Sequence, residues 1–198
     1  MSKYSFRPFF LIVGTLTLAF GCQAQVPNAD EQIAAAVSAA PEEFRADATV
    51  MGYDADTTLV TLREGSGDLI CLSDQPGDDR FHVACYHKSL EPYMARGRAL
   101  RAEGVGRQES FDIRHQEADE GTLEMPSQSA AVYNLTGDLA DVDPETHTVS
   151  NGSSVYAVYI PYATAESTGL SPAPSGPGVP WIMRPGTASA HIMIIPAQ

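Results

Sequence analysis

The stretch Leu69 to His87, LICLSDQPGDDRFHVACYH, joins two runs of apolar and β-branched residues through a polar segment with Pro76-Gly77 at its middle. Alternation with period two predicts a strand on each side of that turn, paired as an antiparallel hairpin. Cys71 and Cys85 then fall opposite each other on consecutive strands. In an exported chain such a pair is expected to be oxidised, and closing a loop of this length is worth about 3 kcal/mol. His87 shares a face with Cys85, but neither a CxxC nor a fourth ligand accompanies the three residues. A disulfide is therefore the preferred reading; no metal and no cofactor is expected.

Outward from this hairpin, the runs Ala48 to Tyr53 and Thr58 to Arg63 alternate in the same way, divided by Asp54 to Thr57 and Glu64 to Gly67. The simplest arrangement is an antiparallel meander of up to four strands. Upstream, Asn28 to Ala40 is Ala-rich, with possible caps at Asn28 and Asp30 and a stop at Pro41. It reads as a weakly amphipathic helix, loosely attached because alanine buries little surface. Downstream, Ser89 caps a helix with Leu90, Tyr93, Met94, Gly97 and Leu100 on one face and Gly104 at its end. A poorer helix runs from Ser110 to Glu120.

Strand patterns return at Ala130 to Thr136, Val155 to Tyr162, Pro180 to Arg184 and His191 to Ile195, the second of them apolar on both faces as a central strand would be. The fold class is α+β: a largely antiparallel sheet of seven to eight strands with one or two covering helices, forming a single domain over residues 47–198.

Residues 1–21 have the form of a signal peptide. Lys3 and Arg7 precede the apolar run Pro8 to Phe20, which is too short to span a bilayer. The run ends in Leu18-Ala19-Phe20-Gly21-Cys22, which resembles the lipobox of bacterial lipoproteins, with Ala19 and Phe20 departing from the usual residues. The resemblance implies a lipid on Cys22 and a protein exported and anchored to a membrane on its periplasmic or extracellular side; residues 22–46 are then a tether and the N-terminal helix. Ordinary cleavage after Ala24 is the alternative.

The sequence has 25 acidic and 12 basic residues, a formal charge of −13, and loses two of its basic residues with the leader. So acidic a surface repels nucleic acid and anionic headgroups. Lys88, Arg96, Arg98, Arg101, Arg107 and Arg114 nevertheless crowd one short segment. They could hold a carboxylate or a phosphate; the preferred expectation is that Glu91, Glu103, Glu109 and Asp112 neutralise them.

The candidate binding or catalytic residues are Glu166, Trp181, Arg184 and His191, grouped around the Pro- and Gly-rich segment Ala165 to Pro180. A loop of this length can cover a pocket, with Trp181 on its wall and the other three supplying polar groups. No GxSxG, GxGxxG or Walker pattern is present. Two functions follow. One is a lipid-anchored binding or structural module of the cell envelope, with a small molecule or an envelope protein as ligand. The other is an exported hydrolase that uses Glu166 and His191 as acid and base beneath the loop. Whether the chain is an enzyme stays open.

Overall fold

The computed structural model describes residues 26–197. Residues 1–21, whose sequence has the form of a signal peptide, and Cys22 lie outside the described residues. Eight strands form one mixed, mostly antiparallel sheet: β1 (Thr49–Tyr53), β2 (Leu59–Arg63), β3 (Leu69–Leu72), β4 (Phe81–His87), β5 (Ala130–Gly137), β6 (Ser153–Tyr159), β7 (Trp181–Met183) and β8 (His191–Ile194), in the order β2-β1-β3-β4-β5-β6-β8-β7. Five helices accompany them: α1 (Ala29–Val37), α2 (Glu42–Arg45), α3 (Glu91–Ala102), α4 (Arg107–Asp119) and α5 (Ala165–Thr168). The α+β class read from the sequence is the observed one.

The first four strands are not a meander. β1 lies between β2 and β3, antiparallel to the former and parallel to the latter. The segment Glu64 to Asp68 is therefore no hairpin turn; it wraps around the start of β1. A Cβ at Gly65 would collide with the Asp47 carbonyl oxygen and the Ala48 main chain, and the Gly67 N–H donates to the Asp47 carbonyl at 2.8 Å. Glycine is what lets one backbone pass this close to another. The Arg63 guanidinium ties the same crossing by donating to the carbonyls of Arg45 at 2.6 Å and Ala48 at 3.0 Å.

The β3–β4 hairpin forms as read, with Cys71 in register with Cys85 and the two bonded as a disulfide. The Lys88 N–H donates to the Asp68 carbonyl at 2.8 Å, so that pair is a hydrogen-bonded one. Alternation makes Cys71 and Cys85 a non-hydrogen-bonded pair, the closer class, whose side chains lie near enough to bridge.

Helices cover both faces of the sheet. α1 packs on β1, β3 and β4, where Ala36, Val50, Cys71 and Cys85 are fully buried together. This helix is held more firmly than its alanine content predicts. Asn28 and Glu31 form a capping box, and buried Gln32 clasps the end of β1, accepting from the Tyr53 N–H at 2.7 Å and donating to its carbonyl at 2.8 Å. On the opposite face, α3 sets Tyr93 and Leu100 inside the core, joined by Leu90 from the turn just before it; each such side chain contributes roughly 1.5–3 kcal/mol by burial. α4 packs on α3.

Candidate functional site

Between α3, α4 and the sheet face opposite α1 lies a cleft of about 690 Å³, within the range of small-molecule sites. Alternation places Leu72 of β3, Ala84 and Tyr86 of β4, Val132 of β5 and Tyr159 of β6 on its floor. His82 and Asn134 sit toward one end, their side chains 3.5 Å apart. The helical wall is cationic: Arg98 and Arg101 from α3, Arg107 and Arg114 from α4.

These arginines differ in how their charge is met. Arg98 donates to Glu91 at 2.6 Å and to the Tyr86 hydroxyl at 2.9 Å. Burial pulls its pKa down, but the charges of Tyr86 and Glu91 more than offset this and leave it raised. Arg96, outside the cleft, makes a bidentate bond to Glu117 and a longer pair with Glu103. Neutralisation therefore holds for Arg98 through Glu91 and for Arg96 chiefly through Glu117; Lys88 pairs with Asp68, and Glu109 and Asp112 pair with none of the cluster among the described residues. Among the described residues, Arg101, Arg107 and Arg114 have no carboxylate within 4.0 Å.

Arg114 is the unusual one, because it is only 8% exposed. Its Nε donates to the Ser110 carbonyl at 3.1 Å and its Nη1 to the Tyr93 carbonyl at 3.3 Å. The guanidinium lies over the rings of Tyr93 and Phe111, at 4.2 and 5.0 Å from their centroids. Carbonyl dipoles and ring faces soften the cost of burying a cation without supplying a negative charge. Burial lowers the Arg114 pKa; Arg101 and Arg184 press it further down, against the opposing effects of Tyr93 and Tyr159. Gly97 makes the room, since a Cβ there would sit 2.8 Å from Arg114 Nη1. The hydroxyl of Tyr93, buried beneath the same arginine, has no hydrogen-bond partner among the described residues.

The residues singled out from the sequence are divided by the structure. Arg184 and His191 come together: Met183 and His191 are in register on β7 and β8, and Arg184 follows Met183. Both back the cleft rather than line it. Arg184 stacks 3.8 Å from the Phe111 centroid, and His191 stacks on Tyr159 at 5.0 Å and contacts the Ser189 carbonyl through Nδ1. Burial lowers the His191 pKa. Trp181 is buried in register with Met193, and Glu166 faces solvent in the first turn of α5. The loop that follows α5 is tied to the sheet edge. The Ile182 N–H donates to the Ser171 carbonyl at 2.9 Å and the Gly178 N–H to the Ile195 carbonyl at 2.7 Å, so the loop covers part of the edge strand β7.

A second hollow, of about 300 Å³, lies under α1 and is lined by Glu31, Asp74, Asp78, Phe81 and His147 among others. It shares Ser73, Gln75 and Asp78 with the cleft. Burial raises the Asp74 carboxyl to a pKa of about 6, although it accepts the His82 N–H at 2.8 Å.

The arginine cluster is visible in the sequence, whereas Tyr86, Tyr159, Phe111 and Ala84 carry no local pattern that marks them as site residues. The available signal was Gly97, a glycine in the interior of a helix rich in arginine. It costs about 1 kcal/mol against alanine and marks a place where something lies against the helix. No family model, no curated protein and no solved structure matches this chain.

Proposed function

We propose that the protein is an envelope binding module, exported and held at a membrane surface through a lipid on Cys22, whose cleft accepts a small anionic molecule. The observation that carries the reading is Arg114: a buried guanidinium with no carboxylate among the described residues, facing a cavity of ligand size in a chain of strongly negative formal charge. A buried cation of this kind is stabilised when an anion enters beside it, and exclusion of water strengthens the attraction. Arg101 and Arg107, exposed at the rim, would draw such an anion in, with an on-rate that falls as salt is added.

Catalysis draws less support. Glu166 stands in solvent, apart from His191, and Ser189, which bonds to His115, is 1% exposed and out of reach of a substrate. Titration calorimetry of the mature chain against small carboxylates and phosphates tests the binding reading. At least one should bind with a Kd below about 1 mM, and Arg101→Ala combined with Arg107→Ala should weaken it about tenfold or more. If the double variant binds every anion as the parent does, the cleft is not the site.

A further inference from the structure

We infer that the cleft's ligand is a dianion on an apolar body, with a phosphomonoester as the fitting head group. The inference rests on the anion-binding reading and makes it specific. It begins with the charges that line the cleft. Arg98 is already paired with Glu91, which leaves Arg101, Arg107 and Arg114 unmatched among the described residues. Against these three stands one lining carboxylate, Asp78, whose Oδ1 accepts the Arg80 N–H at 3.2 Å. A monoanion would leave the wall with uncompensated positive charge, whereas a dianion brings it to balance.

The three guanidiniums come from the end of α3, the start of α4 and the middle of α4. Donors spread along one wall from two helices suit a group with several oxygens better than a planar carboxylate, which is matched by a single bidentate arginine. Arg114 cannot swing away to an acid elsewhere, because two carbonyls and two ring faces hold it. The start of α4 belongs to the same wall: Gly106, its N-cap, offers no side chain to the first-turn amides, and Arg107 and Ser110 line the cleft. The floor calls for a different chemistry. Leu72, Ala84, Val132 and Tyr159 present apolar surface, and Ala84, between Leu72 and Asn134 in register, leaves a shallow dent that a ring or short chain can fill.

The test uses three probes on the full mature chain: phenyl phosphate, inorganic phosphate and benzoate, each titrated by calorimetry at pH 7.5 and pH 5. Phenyl phosphate should bind about tenfold or more tighter than either of the others. Because the second ionisation of a phosphate ester lies near pH 6, its affinity relative to benzoate, which meets the same lining His82 and Asp78, should fall about tenfold on going to pH 5. Arg101→Ala should bring phenyl phosphate close to benzoate. Ala84→Phe, which fills the dent and leaves every arginine in place, should bring phenyl phosphate down to inorganic phosphate while the latter binds as before; its thermal melt reports whether it is folded. Equal binding of benzoate and phenyl phosphate would overturn the dianion and leave the anion-binding cleft standing. Equal binding of the two phosphates would overturn the apolar body. If none of the three binds and the arginine variants change nothing, the cleft reading fails and this one with it.

Discussion

The guanidinium carbon of Arg114 lies 4.2 Å from the centroid of the Tyr93 ring, and the same arginine donates through Nη1 to the Tyr93 carbonyl oxygen. One residue of α3 thus holds, by ring face and main chain together, a cation that belongs to α4. The fold carries the cost of that buried charge when the cleft is empty. Arg114→Met, which keeps most of the volume and removes the charge, should leave thermal stability unchanged or raised while anion affinity drops tenfold or more. Arg114→Ala should lower both, with a stability loss of about 2–4 kcal/mol from the packing given up. Denaturant melts and calorimetry on the two variants separate charge from packing.

A pH dependence is expected from Asp74. Its folded-state pKa, raised by burial to about 6 from 3.8, lies above that of the unfolded chain. Below about pH 4 both states hold the proton and the residue contributes nothing. As pH climbs to about 6 the unfolded chain releases its proton first, so stability falls; above that the loss is constant. Asp74→Asn keeps an acceptor for the His82 N–H and removes the titration. It should raise the melting temperature at pH 7.5 and leave it nearly unchanged at pH 4, a difference that scanning calorimetry at both values will show.

Reduction should cost the domain about 3 kcal/mol, given the 14-residue separation of Cys71 and Cys85. Urea melts with and without reductant measure this, and Cys71→Ala with Cys85→Ala should reproduce the reduced midpoint. Coincident midpoints in both conditions would refute it.

Anchoring is tested at Cys22. The native protein should fractionate with membranes, its intact mass should include acyl chains, and Cys22→Ala should release it or block processing. A mature chain that begins at Gln25 with no added mass would sink the anchor.

Much of the fold was legible because its strands alternate cleanly and its helices carry their own start and stop signals, as Asn28 and Gly104 do. The position of β1 was not. Hairpin chemistry at Glu64 to Gly67 looks the same whether the chain turns back beside β2 or passes around a third strand; what decides it is the close approach of Gly65 to Asp47. The site was half legible for a related reason. A cluster of arginines is visible in one dimension, but which of them find acids depends on Glu117 reaching Arg96 across two helices and on Gly97 admitting Arg114. Arg184 and His191 stand out in the sequence as candidate binding or catalytic residues beside the Pro- and Gly-rich segment. Their partners, Phe111 and Tyr159, come from segments far off in sequence, which no local pattern announces.

Because β1 sits between two strands that are consecutive in the chain, β2 has two suitors during folding. It can zip with β1 through the turn at Asp54, whose carboxylate takes the amides of Asp56 and Thr58 at 2.9 Å, or fold onto β3 through the glycine-rich link. Hairpins close within microseconds, so the outcome is a race. The Asp54 turn is already knotted by its own hydrogen bonds, while two glycines leave the rival link loose and entropically costly to fix. Stiffening that link would therefore favour the wrong partner. A Gly65→Ala, Gly67→Ala chain should suffer twice, by collision with Asp47 in the finished fold and by lingering earlier in a hairpin from which β1 is shut out.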